Sequence, residues 1–578
     1  MSLGKAPSLS NLYPGAIEFC DERLSESSIY RVLHRECLRL FPDETFADLF
    51  HAVGRRSIPP RIVAVVMVLQ RIEGLSDREA VDRFAFDLRW KYAAGGLESE
   101  YPGFVHTVLV DMRARLRASE RPDRIFEAVL DVAKSAGLVG KKRVLDSTAL
   151  YDAVATQDTV TMIRSAIRGV LREADASLAT ELRTVLKRDD DYQAAGKPVC
   201  DWDDKAAREI VIDALAKDGH AVLATLHGRG LHDDLSKAGE LLATVMGQDL
   251  EKGDDGIFRI ARGVAPNRVI STVDPEARHG HKTAARGFDG YKGHVAIDPD
   301  SEIITATEVT AGNAGDATAA ESLLKDVLPP LESPSAETTG DASAETTGDA
   351  SAETTGDASA ETTGDASAET TATARIEGAE EAAPPMLAAS PIEVYGDSSY
   401  GTADLVQRLE DAGIEANVKV QPPAARDGMF AQDAFQIDRA KGTATCPQGV
   451  EVKLRERPNG SATASFGDHC AGCPLRQQCT TSKVGRTLNV HPKHETLERA
   501  RARQSDPQWK KRYRATRPKV ERKIGHMMRR KHGGRRSRVR GRERVHQDFN
   551  LLAAANNLLR LAALGVHWAQ GKWAVASR

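Results

Sequence analysis

The sequence predicts an α/β core, a mixed sheet flanked by helices, carried behind a mostly α-helical N-terminal domain. Three stretches predict it. In KKRVLDSTAL a short apolar run leads into Asp146 and then into small hydroxyl residues, the pattern of a strand whose end presents a carboxylate. GYKGHVAID and EIITATEVTAGN alternate as two paired strands around the turn DPDS, Asp298 to Ser301. SPIEVYGDSSYGTADLVQRLEDAGIEANVKV reads as strand, turn, helix and strand.

The elements follow in order. Residues 1–140 form the helical N-terminal domain, for which DNA binding is expected. IPPRIVAVVMVLQRIEG starts a helix at Pro59 and Pro60, and Gly74 ends it. Ser76 and Glu79 make an S-x-x-E capping box for the next helix, so two helices meet across a short turn, as in a helix-turn-helix motif or in any small helical bundle. Residues 141–330 hold the first part of the core, interrupted at 155–260 by a helical insertion. From Ser335 the octapeptide SAETTGDA occurs four times and begins a fifth copy, with no apolar residue larger than alanine. Such units lack the hydrophobic face that stacked repeats require, so 331–390 is expected to be a disordered loop. Residues 391–570 complete the core, with a cysteine-containing insertion at 440–482 and a basic helical region at 499–546.

The chain has 578 residues, 41% hydrophobic and 28% charged, which is enough for several packed domains. MSLGKAPSLSNLYPGAIEF has no basic start followed by an apolar run, and no stretch approaches the roughly 18 apolar residues of a membrane helix. A cytoplasmic, non-membrane protein is expected. Seven cysteines, an odd number, give little support for a secreted disulfide scaffold. The formal net charge of −4 conceals a block from Arg499 to Arg544 with 20 Lys and Arg against 3 carboxylates. A block this dense neutralises phosphates and releases counterions, and apolar helical sequence follows it, so it points to nucleic acid rather than to a solvated tail.

Asp146, Asp397 and Glu521 each follow a different ordered element, and Glu521 falls within the basic block on a helix beginning near Pro518. Strand-end carboxylates and a helical glutamate packed across a sheet can meet, and hard oxygen ligands suit Mg or Mn. The competing reading is three unrelated carboxylates among 83 Asp and Glu, with Glu521 an ion-pair partner of its basic neighbours. Lys292 and His294 share one face of their strand by alternation, where they would approach a phosphate or simply face solvent. Arg514, Arg517, Arg522, Arg529, Arg530, Lys531, Arg535 and Arg536 are the further candidate DNA contacts. Trp509 is expected in a core, with base stacking as the alternative.

VLDST, GYKGHVAID, VTAGNAGD, YGDSSYG and RPKVERKIGH, followed by RGRERVHQDFNLLAAANNLLRL, resemble in order and spacing the DDE transposases of bacterial insertion sequences. The resemblance implies an RNase H-like catalytic core with Asp146, Asp397 and Glu521 holding two Mg or Mn ions. It implies hydrolysis at the element's terminal inverted repeats, then strand transfer of the freed 3′-hydroxyl into target DNA. It also implies double-stranded DNA as partner and at least a homodimer on it. Related sequences often show Y-x2-R-x3-E-x6-K around the glutamate. Arg517 and Glu521 match, whereas the tyrosine position is Arg514, beside Tyr513, and the lysine position is Met528, beside Arg529. The alternatives are an inactive or repurposed transposase-derived DNA-binding protein and, further off, an RNase H-like nuclease or resolvase.

Cys446, Cys470, Cys473 and Cys479 place a C-x2-C pair between two further thiols, a set able to enclose a structural Zn, with His469 as an alternative ligand. The other reading is ordinary reduced thiols. Cys20, Cys37 and Cys200 are expected as small apolar residues.

Overall fold

A six-stranded mixed sheet organises the chain. The computed structural model describes residues 14–330 and 391–576, apart from 52, 191, 195, 284, 285, 426 and 427; the octapeptide repeats lie outside the described residues. The strands are β1 (Lys142–Tyr151), β2 (Arg278–Thr283), β3 (Arg286–Ile297), β4 (Ile304–Ala311), β5 (Glu393–Gly396) and β6 (Glu415–Val418). Their order is β2-β3-β1-β5-β6, with β4 also paired to β3. β1 runs antiparallel to β3, with Asp146 opposite Val295, and parallel to β5, with Val144 opposite Tyr395. The anticipated hairpin is β3–β4, and in its turn Asp298 Oδ1 accepts from the N–H groups of Asp300 and Ser301.

Gly290 lets β1 and β3 approach. Its φ is +141°, and a Cβ there would lie 2.2 Å from the Leu150 carbonyl oxygen. Gly290→Ala is expected to destabilise the chain by about 3 kcal/mol, from backbone strain plus overpacking. Denaturant unfolding of the two chains checks this.

Alternation divides the sheet's side chains between two cores. Val144, Leu150, Tyr291 and Val295 face one, while Leu145, Ala296 and Val394 face the other. The second core is closed by two short helices, Ala320–Leu323 and Ala403–Asp411. The first is closed from both ends of the sequence. After α1 (Pro14–Arg23), whose Asp21 accepts a hydrogen bond from the Tyr92 hydroxyl, it takes in the N-terminal helices α2 (Ile29–Leu40), α3 (Pro60–Glu73), α4 (Asp77–Phe86), α5 (Leu88–Ala93), α6 (Thr107–Ala118) and α7 (Arg124–Ser135). It also takes in the late helices Pro518–Met527 and Arg542–Ala563.

The local signals at the α3–α4 turn form as read: Pro60 lies in the first turn of α3, Gly74 is left-handed at φ +68°, and the Ser76–Glu79 capping box closes. However, α3 is buried from Pro60 through Ile72, because its apolar residues leave no polar face. The turn is also covered: His532 Nδ1 lies 2.7 Å from the Ile72 carbonyl oxygen, and a Cβ at Gly74 would meet the Lys531 carbonyl oxygen at 2.4 Å. Any DNA contact from this pair falls to α4, whose exposed residues include Arg78, Asp82 and Phe86.

Between β1 and β2, α8 (Thr159–Glu173), α9 (Ala176–Val185), α10 (Lys205–Leu226) and α11 (Asp233–Asp249) enclose a separate core around Met162, Ile167, Leu215 and Leu242. Asp158, Asp175 and Asp204 cap the first three of these helices through their side chains. After β6, two three-stranded sheets built from short strands between Gln436 and Val490 pack around Phe435, Phe466, Cys470 and Cys479. Among the described residues, no helix is long and apolar enough to cross a membrane.

Candidate active site

The site begins where two neighbouring strands end unequally. β5 pairs with β1 only as far as Val144, so from Asp146 to Ala149 no described strand pairs with that edge of β1. A cleft of about 390 Å³ opens along it, and its lining includes Asp146 and Ser147 from β1, Lys292 from β3, Asp397 just past β5, and Arg517 and Glu521. A crevice beside the ends of the central parallel strands, where strand order reverses, is where α/β sheets receive ligands.

Arg517 ties the acidic side chains together. It sits between two helices, Pro507–Thr516 and Pro518–Met527, where Pro518 has no N–H to continue the first ladder. Its Nη2 is 2.8 Å from Asp146 Oδ1 and 3.5 Å from Asp397 Oδ2, and its Nη1 is 3.5 Å from Glu521 Oε1. All three predicted carboxylates therefore surround one guanidinium, which has only 8% of its side chain exposed. Burial raises the Asp146 carboxyl above its ordinary pKa, against the opposing charge and hydrogen bond of Arg517. Among the described residues, no group of three or more His, Cys, Asp or Glu side chains is arranged to hold a metal ion. In the cleft, Arg517 stands between the carboxylates.

Two of the expected DNA contacts are placed otherwise. Arg517 is buried against the carboxylates instead of being offered to DNA. His294 is fully buried: Nδ1 lies 2.9 Å from the Tyr400 hydroxyl and Nε2 2.8 Å from Thr310 Oγ1. Burial pushes its pKa down to about 4, so the ring is neutral at pH 7. Alternation put His294 correctly on the Lys292 face of the strand, but Tyr400 from the turn after β5 covers it. Tyr400 is itself raised well above pKa 10, first by burial and then by the negative charges of Asp316, Asp146 and Asp397.

The other expected contacts are more open. Arg514, Arg522, Arg529, Arg530, Lys531, Arg535 and Arg536 are exposed, although Arg522 also pairs with Glu302. The basic segment runs beside the far end of β1, where Tyr151 N–H donates to the Arg535 carbonyl and Ser537 N–H to that of Tyr151. Tyr513 reaches the site despite its offset: its hydroxyl donates to the Gly396 carbonyl at 3.1 Å, and its ring stacks on the buried Trp509. The rotation of about 100° per residue holds within one helix, whereas here the break at Pro518 separates Tyr513 from Glu521. Met528 is buried, and Arg529 stands exposed beyond the helix end.

Three further residues, none expected there, belong to the site. Ser147, Asp316 and Tyr400 all lie inside quoted motifs, VLDST, VTAGNAGD and YGDSSYG, so the signal was present without an assigned role. The four late cysteines and His469 line one small cavity, where the Arg486 N–H donates to Cys470 Sγ at 3.4 Å. Of the remaining cysteines, Cys20 and Cys37 are buried as expected, while Cys200 is partly exposed.

Asp146 lies midway along β1 rather than at its end, because β3 goes on pairing with β1 as far as Tyr151, while Asp397 lies just past the end of β5. A mixed sheet in this order, flanked by helices and with these acidic side chains beside the point where β5 stops pairing with β1, fits an RNase H-like core. A family model described as "Transposase domain (DUF772)" matches residues 19–115, and two described as "Transposase DDE domain" match 260–342 and 445–562. The chain belongs to the DDE transposases of the insertion-sequence kind. Lys292 and Asp316 fall within the second stretch and Glu521 within the third, while Asp146 and Asp397 lie outside all three. No curated protein and no solved structure matches the chain.

Proposed function

We propose that the chain cuts DNA at the ends of an insertion sequence and joins the freed ends to target DNA, with Asp146, Asp397 and Glu521 as its metal ligands. The observation that carries this is the meeting of three carboxylates from three separate elements around one cation in an open cleft. The donors suit the group: hard carboxylate oxygens favour Mg or Mn, and Arg517 already marks the place where positive charge is stabilised. Two such ions, when bound, would activate the attacking oxygen and stabilise the leaving one in an in-line displacement. The protein's own part is to hold DNA beside them. Lys292 lines the cleft, and the exposed arginines from Arg529 to Arg536 continue along β1 as a surface for phosphates of double-stranded DNA. Pairing two element ends calls for at least a dimer.

The test is incubation of the purified chain with Mg or Mn and DNA bearing the inverted repeats that flank its gene. End cleavage and joined products are expected from wild type. If wild type and Asp397→Ala behave alike, the chain is a DNA-binding protein derived from a transposase.

For the cysteine module we propose a structural role for Zn, held by Cys446, Cys470, Cys473 and Cys479. The shared cavity and the N–H donated to Cys470 support it, and the ion would draw the thiols closer than they stand. About one Zn per chain is expected by elemental analysis, with less in Cys470→Ser. A metal-free chain of unchanged stability would make these ordinary thiols.

A further inference from the structure

We propose that Asp316 is a positioning residue that holds Lys292 at the open edge of β1 to receive a DNA phosphate, an inference that rests on the reading of the cleft as a DNA-cutting site. β4 pairs with β3 so that Thr310 lies opposite Lys292, and the short return after β4 brings Asp316 back over that lysine. Asp316 is 6% exposed and accepts two hydrogen bonds in the cleft wall. Its Oδ1 takes one from Lys292 Nζ at 2.8 Å, and its Oδ2 one from Ser147 Oγ at 2.6 Å. Ser147 carries the link across the strand, since its N–H donates to Asp146 Oδ1 at 2.8 Å.

The donor arithmetic of Lys292 gives the arrangement a purpose. Its ammonium has three N–H groups. One goes to Asp316 and a second to the Ala314 carbonyl, also at 2.8 Å. The third is left for an acceptor in the cleft, where Lys292 is part of the lining. A lysine on its flexible stem is otherwise a poorly directed charge. Held at two points, it presents that one donor in a narrow range of directions. Stability alone explains the pair poorly, because replacing a buried ion pair with apolar residues is often neutral or stabilising.

Two measurements test this. The first needs no catalysis: the chain, free of DNA and metal, is treated with an amine-reactive reagent and each lysine's labelling rate is read by mass spectrometry. Asp316→Asn is expected to raise Lys292 labelling by about tenfold, with Lys217 on the distant helical insertion unchanged. Equal Lys292 labelling in the two chains would overturn the anchoring. The second is a double-mutant cycle on end cleavage, in which Asp316→Asn slows wild type by about tenfold but Lys292→Met by less than about twofold. Effects that multiply would mean that Asp316 does not act through Lys292. If wild type itself cuts no ends, the transposase reading has failed, while the labelling experiment still decides whether Asp316 anchors Lys292.

Discussion

Asp146→Asn and Asp397→Ala are each expected to lower end cleavage by about 10³-fold or more, with DNA binding retained. Each variant removes one of the charged ligands proposed for the metal ions, and metal-borne stabilisation of transition-state charge amounts to several kcal/mol, about 1.4 kcal/mol for each factor of ten. Binding is expected to survive because the exposed arginines beside β1 are untouched. The check is a pair of assays on one preparation: cleavage of end DNA with Mg, and equilibrium binding of the same DNA with Ca. Two variants that bind and cut like wild type would remove these carboxylates from the reaction. Loss of binding together with cleavage would show that they support the fold instead.

The second large effect concerns Arg517. Arg517→Ala leaves the enclosed Asp146 carboxylate without its closest counter-charge, and breaking one side of a buried pair costs about 3–5 kcal/mol. The loss is expected to depend on pH, with a definite sign. Burial holds the Asp146 pKa in the folded chain above its ordinary value. Just above that ordinary value the folded state binds more protons than the unfolded, so this group's contribution to stability falls as pH rises. Removing Arg517, which opposes the shift, extends the window upward. Unfolding in denaturant should therefore show a smaller loss near pH 5 than near pH 8, and added Mg should restore more stability to the variant than to wild type. A loss independent of both pH and Mg would mean that Arg517 acts through packing alone.

What the sequence made legible was local. Asp146 and Asp397 were visible because an apolar run ending in a carboxylate is a readable signal in one dimension, and Pro518 marked the start of the helix that bears Glu521. Alternation also placed Lys292 and His294 on one face. Depth was not readable, because the cover over His294 comes from Tyr400, 106 residues further on. Asp316 escaped for the same reason, since its partners Lys292 and Ser147 are brought to it by strand pairing. The Arg517 guanidinium read as one more charge in a basic block, and only the packing of the helix that follows it against β1 distinguishes it from Arg514. The start and stop of α3 were plain at Pro60 and Gly74, but its burial from Pro60 through Ile72 was not read from them. That its main neighbour would be a helix near the other end of the chain was not plain either, because periodicity shows which face is apolar and not what covers it.

The core that joins the first helices to the last has a consequence for how the molecule comes into being. It includes Leu33 and Val65 at one end of the sequence and Leu552 and Val566 at the other, and Val520, Ile524 and Met527 beside Glu521 lie in it as well. A ribosome adding roughly 5–20 residues per second needs on the order of a minute to reach that last helix. Throughout that interval the apolar faces of the N-terminal helices lack their final partner, and the wall of the cleft that bears Arg517 and Glu521 rests on β1 without the support of Arg542–Ala563. A truncated or still-growing chain thus has Asp146 and Asp397 but no completed cleft, which confines the assembled site to finished chains.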